Sequence, residues 1–225
     1  MKDLLPMLEN TDRVPRESIE QLAEPHPLLE QLGSMDGLVT LTAAAASLRR
    51  APVDSLESLV QFLEVYQSRI LLPLELPAIF RAHHHASCNQ TRELIALDGQ
   101  ITKLPILQEF ASASRRVGRS QLSRLKPLRG ERLVQRYLHA VDEELAQGWH
   151  TLVYGLTLAL YSIPVRQGLM HYARQTLGGF IHSAARPLRL SEKSGTEALE
   201  HLCIDLRPRL EALIASDKIS TMRLK

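Results

Sequence analysis

The sequence predicts an all-α protein, a single-domain bundle of roughly eight to ten helices. Three observations point there. Only 4% of residues are aromatic, beside abundant Leu and Ala, whereas sheets draw on aromatic and β-branched side chains. Apolar residues recur at helical spacing, with no strict two-residue alternation bounded by hairpin turns. The chain of 225 residues is 44% hydrophobic and 23% charged, enough to bury a sizeable core in one large domain or two small ones.

The elements follow in order. Residues 1–26 are polar and interrupted by Pro6, Pro15 and Pro25, with Pro27 just beyond, and read as a tail or a short helix. The helical domain spans 27–215, and a flexible basic tail spans 216–225. Leu28–Leu32 is a short helix stopped by Gly33, and a second helix covers Thr40–Arg50. Asp54 and Glu57 are spaced as a capping pair, opening a helix that carries Leu56, Leu59, Val60, Leu63 and Ile70. Pro73 and Pro77 bracket a break before a helix over Ala78–Ser87. Further helices are expected at Thr91–Lys103, stopped by Pro105, at Leu107–Leu125, stopped by Lys126-Pro127, and at Gly130–Gln147. Trp149–Tyr161 is apolar on nearly all sides, the mark of a central buried helix. Pro164 starts a helix that runs to Ala185, where Gly178-Gly179 leaves room for another backbone. After a linker at Arg186–Gly195, a last helix spans Thr196–Ala215 with a kink at Pro208.

Charge and cysteine content set milder limits. Lys and Arg exceed Asp and Glu by two, so no whole-protein field demands a polyanion, and scarce aromatics argue against base-stacking nucleic-acid modules. Cys88 and Cys203 have no partner at CxxC spacing and fit a reducing compartment. No signal peptide and no membrane span are read, so a cytoplasmic location is expected. His83-His84-His85 with Cys88 invites a metal reading. Consecutive helical residues diverge by about 100°, and only the pairs His84/Cys88 and His85/Cys88 share a face. A solvated helix end is preferred over a transient soft-metal contact, and neither metal nor cofactor is expected. Asp142-Glu143-Glu144 reads as a solvated face rather than paired catalytic acids. Motifs for nucleophilic, phosphate-loop or metalloprotease chemistry are absent, so no enzyme and no catalytic residue is expected. The run Arg115-Arg116-Val117-Gly118-Arg119, continued by Arg124, Lys126 and Arg129, places Arg115 and Arg119 on one helix face. That stripe can meet phosphates, acidic residues of a partner, or solvent. Gly118, inside a helix, costs about 1 kcal/mol relative to alanine, which suggests close helix packing.

Glu109-Phe110-Ala111-Ser112-Ala113-Ser114-Arg115-Arg116-Val117-Gly118-Arg119 resembles the E-L-R-x-A-S-x-x-M-G-R helix of the urease accessory protein UreF family. His150-Thr151-Leu152-Val153-Tyr154-Gly155 is similar to that family's H-x-x-V-F-G segment. Ser183-Ala184-Ala185-Arg186 leading to Gly195 resembles its S-A-A-x-R-L-x-P-L-G-Q-x-x-G, and Thr221–Lys225 its Y-S-R-L-F ending. The resemblance covers the chain from about Leu28 onward. There are departures. Only Ser34 remains of the N-terminal S-x-x-L-P-x-G-x-F-x-x-S-x-G-L-E, and Ala111 stands at the E-x-R arginine. Arg189-Leu190-Ser191-Glu192 replaces P-L-G-Q, and Thr221 the tail tyrosine.

The resemblance implies an all-helical, dimeric, non-enzymatic protein. It would bind the accessory protein UreD (also called UreH) and, with it, recruit the GTPase UreG that brings nickel to apo-urease. It also implies that Glu109, Arg115, Gly118, Arg119, His150, Gly155 and Arg186 shape the core and the dimer or partner surface, with Arg223 in a tail that could order on UreD/UreH. A paralogue that kept the fold as an interaction or regulatory module without a nickel role is the alternative.

Overall fold

The computed structural model describes residues 44, 45, 48–128 and 130–222, with side chains through 216. The tail at 1–26, the Leu28–Leu32 helix, the signature beginning at Ser34, Arg129 and Arg223 lie outside these residues, and the Thr40–Arg50 helix does so in large part. The described chain is all-helical. Its α-helices are α1 (Leu56–Tyr66), α2 (Leu76–Ser87), α3 (Thr91–Thr102), α4 (Gln108–Arg124), α5 (Arg132–Asp142), α6 (His150–Leu160), α7 (Val165–Ala185), α8 (Glu192–Cys203) and α9 (Leu206–Met222). Among the described residues no helix is long and apolar enough to cross a membrane.

Several boundaries differ from expectation for local reasons. Ser55, not Asp54, caps α1. Its backbone is extended (φ −146°, ψ 166°), its hydroxyl accepts from Ser58 N–H at 3.2 Å, and Ser58 Oγ accepts from Ser55 N–H at 3.0 Å. Asp54 stands one residue too early for that exchange and accepts instead from the Ser58 hydroxyl. The break expected between Pro73 and Pro77 is missing. A π-helical segment, Gln67–Glu75, joins α1 to α2 without interruption. Proline disrupts an α-helix by lacking an N–H and by colliding with the carbonyl four residues back. The π segment carries Pro73 without a break, and Leu76 N–H at its end reaches five residues back to Leu71.

The helix expected over Gly130–Gln147 is shorter. Three successive acids at a helix C-terminus oppose the macrodipole, and the chain leaves α5 with Glu144 in the left-handed region (φ 60°). Ala146 N–H then returns to the Ala140 carbonyl at 3.0 Å. Asp142, Glu143 and Glu144 are exposed, as a solvated face requires. The linker after α7 is also shorter than expected, because Ser191 caps α8 by accepting from Ser194 N–H at 3.1 Å. The last helix breaks at 204–205, ahead of Pro208, rather than kinking at Pro208. Pro208 falls in the first turn of α9, where its missing N–H would have no partner anyway. Helical backbone continues through Ser216 to Met222.

Counted with 56–87 as one and α8–α9, parted only by the turn at 204–205, as another, the described residues form seven helices. The expected eight to ten are reduced by the fusion across Pro73 and by the helices outside the described residues.

The core is built around α6. Its first nine residues, His150 to Leu158, are all buried, enclosed by α2, α4 and α7. Tyr154 Oη donates to the Gly168 carbonyl at 3.1 Å, fastening α6 to the start of α7. On the outer side α8 and α9 pack on α7, and Arg166 of α7 makes a bidentate ion pair with Glu211 of α9 at 3.0 to 3.1 Å. Gly178 is not a close backbone contact. A Cβ there would stand 3.7 Å from Leu199 Cδ2, an ordinary distance.

Candidate functional site

The residues singled out by the sequence motifs gather mainly where α4 crosses the entrance to α6. Gly118 is buried, and a Cβ on it would overlap the Gly148 carbonyl and lie 2.8 Å from His150 N and 2.9 Å from Trp149 C. Each of these is a backbone atom, so a larger residue could not be accommodated by turning a side chain. Gly148 itself has φ +72°, a conformation that suits glycine. His150 N–H donates to Ser114 Oγ at 3.1 Å, a second tie between the helices.

Buried Asp98 of α3 holds the 143–149 loop in place. Its carboxylate accepts from Gln147 N–H (2.7 Å), Tyr137 Oη (2.8 Å) and Gly148 N–H (3.0 Å). Burial of a carboxyl is tolerated when its hydrogen bonds are this complete. Trp149 Nε1 donates to Thr102 Oγ1 at 2.9 Å, so α3 fixes the ring as well as the loop. Sequence reasoning missed Asp98. The available signal was its place on the apolar stripe of Leu94, Leu97 and Ile101.

On this frame α4 presents a basic surface. The Arg115 guanidinium lies 5.2 Å over the Trp149 ring, a cation–π contact that holds the side chain along the surface. Arg119 is exposed, and its Nε donates to the Gln147 carbonyl at 3.2 Å. Arg116 is exposed beside them, and together with Gln108, Ser112 and Gln147 these arginines border one open depression. The planar guanidinium forks are suited to carboxylate or phosphate oxygens.

The remaining motif residues sit elsewhere. Glu109 is exposed in the first turn of α4, where a negative charge complements the helix dipole. Ala111, at the family's arginine position, is buried. His150 is fully buried, neither ring nitrogen has a hydrogen-bond partner, and desolvation pushes its pKa down to about 4. The ring packs on Tyr172 with centroids 5.8 Å apart, as a core residue does. Gly155 serves the contact between α6 and α2, where a Cβ would overlap the Ile79 carbonyl and lie 2.8 Å from Ala82 Cβ. Arg186 is exposed at the C-cap of α7.

His83, His84 and His85 occupy the last turns of α2 and are half-buried, with Cys88 exposed at the C-cap. His85 Nδ1 is 2.9 Å from Gln90 Oε1. Burial pushes His83 down from the ordinary histidine range. Among the described residues no three His, Cys, Asp or Glu side chains group as a metal site.

A second buried acid was also missed. Glu75, read as lying in a break, ends the π segment and points into the core, where Tyr66 Oη donates to it at 3.0 Å. Burial without a cation pushes its pKa up to about 7. A carboxyl raised from 4.5 to about 7 makes its most favourable contribution below pH 4.5, and loses it as pH rises through 7. The loss amounts to about 3 kcal/mol by pH 8. Glu75→Gln is therefore expected to match the wild type near pH 4.5 and to exceed its stability by about that amount at pH 8. Thermal unfolding of both proteins across that range checks it; parallel curves would refute the burial argument.

The UreF family model matches residues 53–203, well over half of the chain, and covers α1 through α8, the α4–α6 crossing included. A search of curated proteins finds no match.

Proposed function

The chain belongs to the UreF family of urease accessory proteins, and on that premise we propose that it is a non-enzymatic scaffold for nickel insertion into apo-urease. In this reading it binds UreD/UreH, and the pair recruits the GTPase UreG. Nucleotide hydrolysis by UreG, not a group on this chain, then drives the change of affinity. The observation that supports a docking role is the basic face of Arg115, Arg116 and Arg119. These residues are exposed or half-exposed, yet α4 beneath them is locked to the 147–150 backbone through Gly118 and Ser114, and Asp98 of α3 fixes that backbone in turn. A preorganised charged surface gains partner specificity and on-rate at little ordering cost.

Arg186 and Arg223 are further contact candidates in this scheme, Glu109 a rim residue, and a homodimer its working unit. His150 and Gly155 support it from within the core. Work in a reducing cytoplasm fits two cysteines with no disulfide between them.

Co-purification with cognate UreD/UreH and UreG tests the proposal. Wild-type chain is expected to capture at least one of them. The double reversal Arg116→Glu, Arg119→Glu should weaken capture at least tenfold at low salt, an effect that shrinks as ionic strength rises. Unfolding should shift little, because both side chains are exposed. Failure of the wild type to bind either protein would defeat the scaffold reading. It would leave the paralogue without a nickel role, which the departures between Ser34 and Leu48 favour.

A further inference from the structure

A cleft opens between the end of the π segment, α4 and α7, separate from the basic face. Its buried polar residues are Tyr66, Glu75, Ser114, Thr151 and Thr176, and Phe110 and Phe180 are among its apolar walls. Its cavity volume is only about 40 Å³, so the interior is narrow, and the rest of the space at its mouth is open to solvent. We propose that this cleft binds a primary ammonium carried on an unbranched apolar chain, with the ammonium on the Glu75 carboxylate and the chain along the apolar walls.

Four observations converge. Glu75 is placed by an unusual backbone, since π-helical turns are rare and concentrate at functional sites. This one turns an acid into the core between two prolines. Next, the Tyr66 hydroxyl donates to that carboxyl at 3.0 Å and the Tyr172 hydroxyl also stands close enough to favour its charged form, yet among the described residues no Lys or Arg lines the cleft. The titratable groups facing it are Tyr66 from α1 and Tyr172 from α7, both held neutral by burial, with His150 of α6 beyond Tyr172. Among the described residues the acid thus lacks a counter-charge. Third, Thr176 is 3% exposed and lines the same cleft, and its Oγ1 has no partner at hydrogen-bonding geometry. An ammonium offers three donors, of which the carboxylate and this hydroxyl could take two and solvent at the mouth the third. Finally, the walls are apolar and the interior narrow, which suits a single alkyl chain better than a ring. A divalent cation would require several more oxygen ligands. The fold already bears the desolvation of Glu75, so an entering cation recovers part of that cost.

Two sources carry this chemistry, a free alkylamine or a lysine side chain of a partner protein. Calorimetric titration of the full chain with n-pentylammonium, and with 1-pentanol as the neutral isostere, tests the site itself. Pentylammonium is expected to bind at least tenfold more tightly than pentanol at pH 8. It should also bind at least tenfold more tightly at pH 8 than at pH 5.5, because Glu75 is charged only at the higher pH while the amine is charged at both. Glu75→Gln should abolish the preference for the amine, and Thr176→Val should weaken binding severalfold in a chain whose unfolding is little changed. Equal binding of the alcohol, or binding that survives both substitutions, would overturn the proposal.

Capture of UreD/UreH and UreG by Glu75→Gln separates the sources. Reduced capture assigns the ammonium to a partner lysine, and undiminished capture to a free amine. Because the titration needs no partner, it stands or falls independently of the scaffold reading.

Discussion

Replacing Gly118 with alanine should destabilise the protein by about 3 kcal/mol, even though alanine is the better helix former by about 1 kcal/mol. The two terms have opposite signs, so the experiment decides between them. The added methyl would meet the Gly148 carbonyl, His150 N and Trp149 C, and none of these can move without shifting the loop or α6 itself. Relief requires α4 to separate from the entrance of α6. That would lift Arg115 from the Trp149 ring and stretch the bond from His150 N–H to Ser114. Trp149 is the sole tryptophan, so its fluorescence reports this junction directly. The expected result is a lower urea midpoint together with altered native-state tryptophan emission. A variant about 1 kcal/mol more stable than the wild type, with unchanged emission, would show that the crossing is not tight.

Asp98→Ala should cost more, about 4 kcal/mol. The carboxylate satisfies two backbone N–H groups and one tyrosine hydroxyl in the interior. Each buried donor left without an acceptor costs about 1–3 kcal/mol, with some relief from local relaxation. Asp98→Asn should fall between, since the amide keeps one acceptor oxygen but turns a donor toward a donor. Chemical denaturation of the three proteins gives the ranking. Hydrogen exchange at Gln147 and Gly148 should accelerate in both variants ahead of exchange in the middle of α6. Alanine that costs less than 1 kcal/mol would mean that the loop is held by other contacts. Because the same carboxylate positions Gly148 and Gln147 under Arg119, its loss should also weaken partner capture while leaving every arginine in place.

Much of the fold could be read from the sequence, and the failures have physical causes. The all-α class followed from Leu and Ala content, and the burial of α6 from a segment with no polar face. The start of α7 at Pro164 followed from proline's fit at a helix N-terminus. Prolines inside a helix were harder. Pro73 and Pro77 signal a break in an α-helix, and nothing local in the sequence indicates that a π turn absorbs them. That error concealed Glu75, because a residue placed in a break has no face to assign.

Asp98 was hidden for a different reason. Its partners come from α5 and the following loop, 39 to 50 residues later in the chain, beyond the reach of periodicity. Helix ends formed without glycine were also only partly legible. Asn89, Ser162 and Arg189 adopt the left-handed conformation at the ends of α2, α6 and α7, a role that glycine usually fills, asparagine at times, and serine or arginine rarely. For the candidate site, the motifs singled out Arg115, Gly118, Arg119 and His150, which the fold then brings to one crossing. It did not distinguish the exposed arginines from the core positions of His150 and Gly155, since that separation depends on which helix covers which face.

Nickel content and activity of urease tell most directly whether this chain acts as an accessory protein. Urease produced with UreD/UreH, UreG and the remaining accessory proteins, but without this chain, is expected to be inactive and nearly nickel-free. Wild-type chain should restore both properties, while Arg116→Glu, Arg119→Glu should restore little of either. Fully loaded, active urease in the absence of this chain would contradict the accessory role.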